Sequence, residues 1–154
     1  MENKEYTIQV TSLDETRILA EKLATRVAAG DIITLTGDLG AGKTTFTQGL
    51  AKGLGVKRQV NSPTFTIIKE YQGSQLPLYH MDAYRLEDQF EDLGLDEYFY
   101  GEGVCMIEWP RMIQEQLPAE RLDITILKKG EQEREFQFLP LGPRYEQLVK
   151  EVLA

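Results

Sequence analysis

The chain has 154 residues, 42% of them hydrophobic, which fits one domain spanning 1–154 with a core of its own. Its net charge of -8 argues against this chain gripping a nucleic-acid backbone by itself, because phosphate binding needs a clustered basic face. The single cysteine, Cys105, excludes a disulfide framework, and no stretch approaches the ~20 apolar residues of a membrane span, so a soluble cytoplasmic protein is expected.

No repeat, low-complexity segment or linker divides the sequence. "YTIQV", Tyr6–Val10, alternates like a strand. Ser12 followed by Glu15 forms a capping-box pattern, and the helix it opens carries Leu19, Leu23 and Val27 on one face, with Gly30 as its stop. "DIITLTG" has the unbroken apolar character of a buried strand. The next helix shows Phe46, Leu50 and Leu54 on one face and Gly55 as its end. "FTIIKEY", a turn at "GSQ" and "LPLYHMD" give two further strands. "RLEDQFEDLGLDEYF" predicts short helical pieces broken at Gly94, and "GVCMIEW" another strand, with Cys105 as a buried thiol. Pro110 and Pro118 bracket a helix, "RLDITILKKGEQEREFQFL" predicts a hairpin turning near Gly130, and "PRYEQLVKEVL" closes with a helix. This alternation predicts an α/β fold in three layers, αβα. Its central sheet is expected to be mostly parallel, with an antiparallel C-terminal hairpin.

Between the second strand and second helix lies G-x-x-x-x-G-K-[ST], spelled by Gly37, Gly42, Lys43 and Thr44. Glycines let successive backbone N–H groups turn inward around an anion, and the helix start adds its positive pole. Lys43 has the length to reach β- and γ-phosphates, and the Thr44 hydroxyl suits Mg²⁺. The expected phosphate-binding set is Gly37, Asp38, Leu39, Gly40, Ala41, Gly42, Lys43, Thr44 and Thr45.

Such a site needs an acid near the metal, and two strands end in one: Asp82 closes "LYHMD" and Glu108 closes "VCMIE". One would serve Mg²⁺ and the other position or deprotonate water, in either assignment, so Lys43, Asp82 and Glu108 are the catalytic candidates. Thr64 in "NSPTFTI" occupies the place of a γ-phosphate-sensing switch, or of a loop stiffened by Pro63. Trp109 beside Glu108 is core packing or a ring that moves with nucleotide state. His80 shares the Asp82 face, although a single histidine is more often structural than catalytic, and Arg85 suits a salt bridge better than a phosphate. No N-K-x-D guanine motif follows a strand, which favours ATP, and no Arg-rich lid of the small-molecule kinase type stands out.

"GDLGAGKTTF", "SPTFTI", "YHMDAYRL", "DLGLDEYF" and "IEWP", in this order, resemble the bacterial TsaE (YjeE-type) ATPase family, required for the threonylcarbamoyladenosine (t6A) modification of tRNA. The resemblance implies a weak ATPase that works with the TsaB and TsaD proteins, which transfer the threonylcarbamoyl group to adenosine 37. ATP hydrolysis would reset that complex, and tRNA would be met only through the partners. It further implies Thr44 and Glu108 as Mg²⁺ ligands, Asp82 at the γ-phosphate end, and Thr64 and Trp109 in switch segments. Arg134 and the region of Thr11 would lie near the base. The competing readings are a P-loop kinase for a small molecule or protein, and a nucleotide-gated binding module without turnover.

Overall fold

The computed structural model describes residues 4–37, 42–57, 68–82, 95–108 and 115–153. The expectations for Asp38, Leu39, Gly40, Ala41, Thr64, Arg85, Trp109, the break at Gly94 and the helix opening at Pro110 lie outside those residues.

The alternating segment YTIQV forms strand β1, Tyr6–Val10. Helix α1, Leu13–Ala24, begins at Ser12, whose Oγ accepts from the Glu15 N–H at 3.1 Å. The Glu15 carboxylate completes the cap one residue further out than a standard capping box, accepting from the Thr11 N–H at 2.6 Å. The helix stops at Ala24, short of Gly30, with Thr25 as its C-cap and the Thr25 hydroxyl donating to the Lys22 carbonyl at 2.7 Å. Val27 therefore lies beyond the helix, though it still packs on the core. Gly30, at φ +87°, turns the chain into β2 and donates to the Gly103 carbonyl at 2.9 Å.

Strand β2 is Ile32–Gly37 and helix α2 is Lys43–Gly53. As expected, Gly55 ends α2: the N–H groups of Gly55 and Val56 return to the carbonyls of Lys52 and Ala51 in a Schellman closure. Strands β3, Ile68–Tyr71, and β4, Leu78–Asp82, flank the GSQ turn, followed by the short helix α3, Leu95–Phe99, and strand β5, Val104–Glu108. The hairpin β6, Arg121–Lys128, and β7, Arg134–Leu141, leads into helix α4, Pro143–Leu153.

These strands form one seven-stranded sheet in the order β1-β7-β6-β2-β5-β4-β3. The middle is parallel, β6 with β2, β2 with β5 and β5 with β4. Both margins are antiparallel, so β1 and β3 join the C-terminal hairpin in departing from the parallel pattern. Pro140 falls beyond the last β1 pair, Tyr6 with Phe138, where β7 has one neighbour and a missing N–H donor is tolerated.

The two faces of the sheet bury different sets. Ile33, Leu35, Met106, Ile124 and Phe136 pack under α1, α2 and α4, while Ile32, Met81, Cys105 and Ile107 pack with α3. The layers are therefore helix, sheet, helix. Helices α1 and α2 touch closely through small residues: a Cβ on Gly53 would sit 2.5 Å from the Ala24 Cβ, and one on Gly49 2.9 Å from the Ala20 Cβ. No described helix is long and apolar enough to cross a membrane.

Candidate nucleotide site

Parallel strands carry their carboxyl ends to one edge of a sheet, and loops at that edge are where α/β sheets hold ligands. Here the edge gathers the end of β2 at Gly37, of β4 at Asp82 and of β5 at Glu108. The antiparallel margin adds Arg134, the first residue of β7, in register with Val10 at the end of β1. Thr11 is the next residue, so it shares this edge with Arg134.

The descending end of the phosphate loop is described from Gly42 onward. Gly42 has φ +107°, a conformation that L side chains rarely adopt, and its carbonyl accepts the first helical bond from Phe46 N–H at 2.9 Å. Gly42, the N-cap residue, has no side chain with which to cap α2, and the helix's first turn contains no acid. Neither the N-cap side chain nor an acid of the first turn is there to neutralise the helix pole, an arrangement that suits an anion. Lys43 is buried, Thr44 exposed and Thr45 half-buried on the same turn.

Glu108 and Asp82 are direct cross-strand partners on parallel neighbours, and Leu35 of β2 flanks Glu108 on the other side. Two carboxylates thus stand on strands one spacing apart, about 4.8 Å between backbones, at the carboxyl edge of the sheet. Glu108 is buried and Asp82 half-buried. Like charges directly opposite repel, which favours a site that supplies positive charge between them. His80, two residues before Asp82 and therefore on the same face of β4, places Nε2 2.6 Å from Glu108 Oε2, with both side chains almost fully buried.

Arg134 lies against the loop. Its Nε would be 3.8 Å from a Cβ on Gly42, and its Nη1 donates to the carbonyls of Gly130 and Glu133 at 3.0 and 2.9 Å. Thr11 is exposed, with its N–H and hydroxyl engaged by Glu15. The structure therefore brings together Gly37, Gly42, Lys43, Thr44, Thr45, Asp82, Glu108, Arg134 and Thr11 at one edge of the sheet. Hard oxygens from Thr44 and a carboxylate match Mg²⁺ chemistry. Among the described residues no three His, Cys, Asp or Glu side chains form a group that could hold a metal ion by themselves.

Cys105 lies on the opposite face of β5 from Glu108 in its alternation, buried, with Sγ donating to the Tyr98 carbonyl at 3.3 Å. Burial pushes its thiol up to about 12, so it is inert at neutral pH. A groove of about 550 Å³ at the amino edge, lined by Gly30, Asp31, Tyr100, Glu120 and Arg144 among others, is remote from this chemistry. The contact that sequence reasoning undervalued is His80 with Glu108. Its signal was present in the alternation of "HMD", but the pairing of β4 with β5 was needed to show what His80 faces.

A sheet with a parallel centre, an uncapped helix following a glycine loop, and two acids on neighbouring strand ends define an α/β protein of the P-loop type. The profile of the family described as threonylcarbamoyl adenosine biosynthesis protein TsaE matches residues 10–136. The tRNA threonylcarbamoyladenosine biosynthesis protein TsaE of Bacillus subtilis is 60% identical over 139 residues, covering 90% of this chain and 88% of that one. The Treponema pallidum protein of the same description is 44% identical over 108 residues, covering 69% of this chain and 79% of the other. A crystal structure of Bacillus subtilis YdiB superposes with a TM-score of 0.86 at 49% identity, covering 99% of this chain and 97% of that one. The chain belongs to the TsaE family of threonylcarbamoyl adenosine biosynthesis proteins, as its five motifs led one to expect.

Proposed function

We propose that this protein binds and hydrolyses ATP with Mg²⁺ to drive a conformational cycle in t6A modification of tRNA position 37. It acts with TsaB and TsaD and is not itself the transferase. The observation that carries the reading is the cross-strand pair of Glu108 and Asp82 at the carboxyl edge, Glu108 on β5, beside the strand that leads into the phosphate loop, and Asp82 on β4, one strand further out. A phosphate loop alone speaks for binding; two adjacent acids at the same edge of the sheet speak for hydrolysis.

In this reading the backbone of Gly37, Asp38, Leu39, Gly40, Ala41 and Gly42 wraps the phosphates. Lys43 neutralises β- and γ-oxygens, with Thr45 on the same turn. Thr44 and Glu108 hold the metal, which when bound draws charge from the phosphates and fixes their orientation. Asp82 stands at the γ-phosphate end and orients the attacking water. Arg134, packed beside Gly42, and Thr11 border the base. Loss of the γ-phosphate would release the segments of Thr64 and Trp109, which turns the chemistry into a switch.

The test uses the full chain with TsaB, TsaD, ATP and Mg²⁺, following phosphate release and t6A formation together. Lys43→Ala and Glu108→Ala are expected to lower both by ~10²-fold or more, the scale of losing one preorganised charge partner in a water-excluded site. Both activities surviving both substitutions would overturn the reading. γ-Label transferred to an acceptor, with little free phosphate, would favour a kinase.

A further inference from the structure

We propose that His80 is a positioning residue for Glu108: its Nε2 holds Oε2 so that Oε1 is the carboxylate oxygen offered to the metal. This rests on the reading of Glu108 as a metal ligand. The geometry points to it in three ways. The contact is 2.6 Å long between two side chains that are 1% and 8% exposed, at the short extreme for a charge-assisted bond. The register places Asp82 directly across from Glu108 and His80 one step back, in register with Met106. Glu108 thus reaches one step back along the sheet to His80.

The third observation is that His80 Nδ1 is buried and has no hydrogen-bond partner among the described residues. An orphaned buried nitrogen is unfavourable, so a leucine or phenylalanine would satisfy the core better. What an apolar side chain cannot do is fix the carboxylate. Histidine here gives up one satisfied nitrogen and keeps the other on Glu108. Carboxylates that ligate metals are commonly oriented by such outer partners, whose removal costs about 10–100-fold in metal affinity or activity. A residue that merely filled the core would leave metal binding untouched in any variant that folds.

The experiment measures Mn²⁺ affinity for the full chain with ADP bound, by electron paramagnetic resonance, alongside ADP affinity without metal. The variants are His80→Leu, His80→Asn, His80→Gln and Glu108→Gln. Glutamine can bring an amide N–H to the place of Nε2; asparagine is too short. His80→Leu and His80→Asn are expected to weaken Mn²⁺ binding ~10-fold or more. His80→Gln should stay within a few-fold of the parent, with metal-free ADP affinity unchanged across the three His80 variants. If His80→Leu fails to fold, the contrast between asparagine and glutamine decides alone. Equal Mn²⁺ affinity in the asparagine and glutamine variants, with Glu108→Gln weakened, would overturn the positioning role. Unchanged Mn²⁺ affinity in Glu108→Gln would instead overturn the ligand reading, and a loss in His80→Leu without one in Glu108→Gln would show that His80 acts by another route.

Discussion

At the scale of single residues, Cys105 makes a testable statement about pH. Its thiol is raised from an ordinary 9.0 to about 12 by burial, so the folded chain holds this proton through a range in which the unfolded chain releases it. Its contribution to stability is complete below pH 9.0 and is lost as pH rises towards about 12. The limiting slope is ~1.4 kcal/mol per pH unit. Tyr79, Tyr98 and Tyr145, all pushed upward first by burial, act in the same direction at higher pH. Urea unfolding at pH 8 and pH 10.5 should show the parent losing stability, and Cys105→Ala losing visibly less; equal losses would count against a buried neutral thiol. The phosphate-loop pattern was legible from the sequence, because spacing alone defines Gly37, Gly42, Lys43 and Thr44, and the structure puts that spacing between the end of β2 and the start of α2. That Asp82 and Glu108 end strands was legible too. That they stand opposite one another was not, because no local pattern encodes which strand lies beside which. The same gap hid His80, whose partner is 28 positions away in sequence.

At the scale of elements, the position of α2 is set by contact with α1. Gly53 and Gly49 meet Ala24 and Ala20, and the backbone of Arg17 and Glu21 lies within 3.0 to 3.3 Å of the added carbons. Such close contacts cannot absorb a methyl group without moving a helix. Gly53→Ala is therefore expected to destabilise by ~1–3 kcal/mol, the usual range for overpacking, despite alanine's better helix propensity. Gly55, outside this contact, is the wrong control because its φ is +83°. Ala51→Gly, on the same helix, separates the two effects: propensity and lost burial weaken it without any clash. Chemical denaturation of both variants, with ADP affinity as the second readout, checks whether the tilt of α2 reaches Lys43. The elements themselves were largely readable, since β1, α2, β5 and the final helix follow their apolar periods. The end of α1 was not, because the helix closes at Thr25, before the more obvious glycine. The antiparallel β1 and β3 were not either, since a strand's own sequence is silent about the direction of its neighbour.

At the scale of the whole molecule, charge governs what the protein meets. With a net charge of -8, it should show no measurable affinity for tRNA by itself at physiological salt, while any tRNA association in the presence of partners should vanish when they are omitted. A filter-binding titration returning micromolar affinity for the isolated chain, weakening steeply with salt, would contradict a tRNA contact made only through others. The sheet order has a different kind of consequence. The strand that leads into the phosphate loop, β2, is flanked by β5 and β6, and β1 is paired with β7. Every one of these neighbours comes from the later half of the chain. During synthesis, Ile32–Gly37 leaves the ribosome well before either flank exists, as an apolar strand with both edges bare. Such long-range pairings fold slowly and leave sticky intermediates. The nascent protein cannot cover both edges of that strand until β5 and β6 have been translated, so the apolar strand that leads into the glycine-rich loop stays bare through most of synthesis.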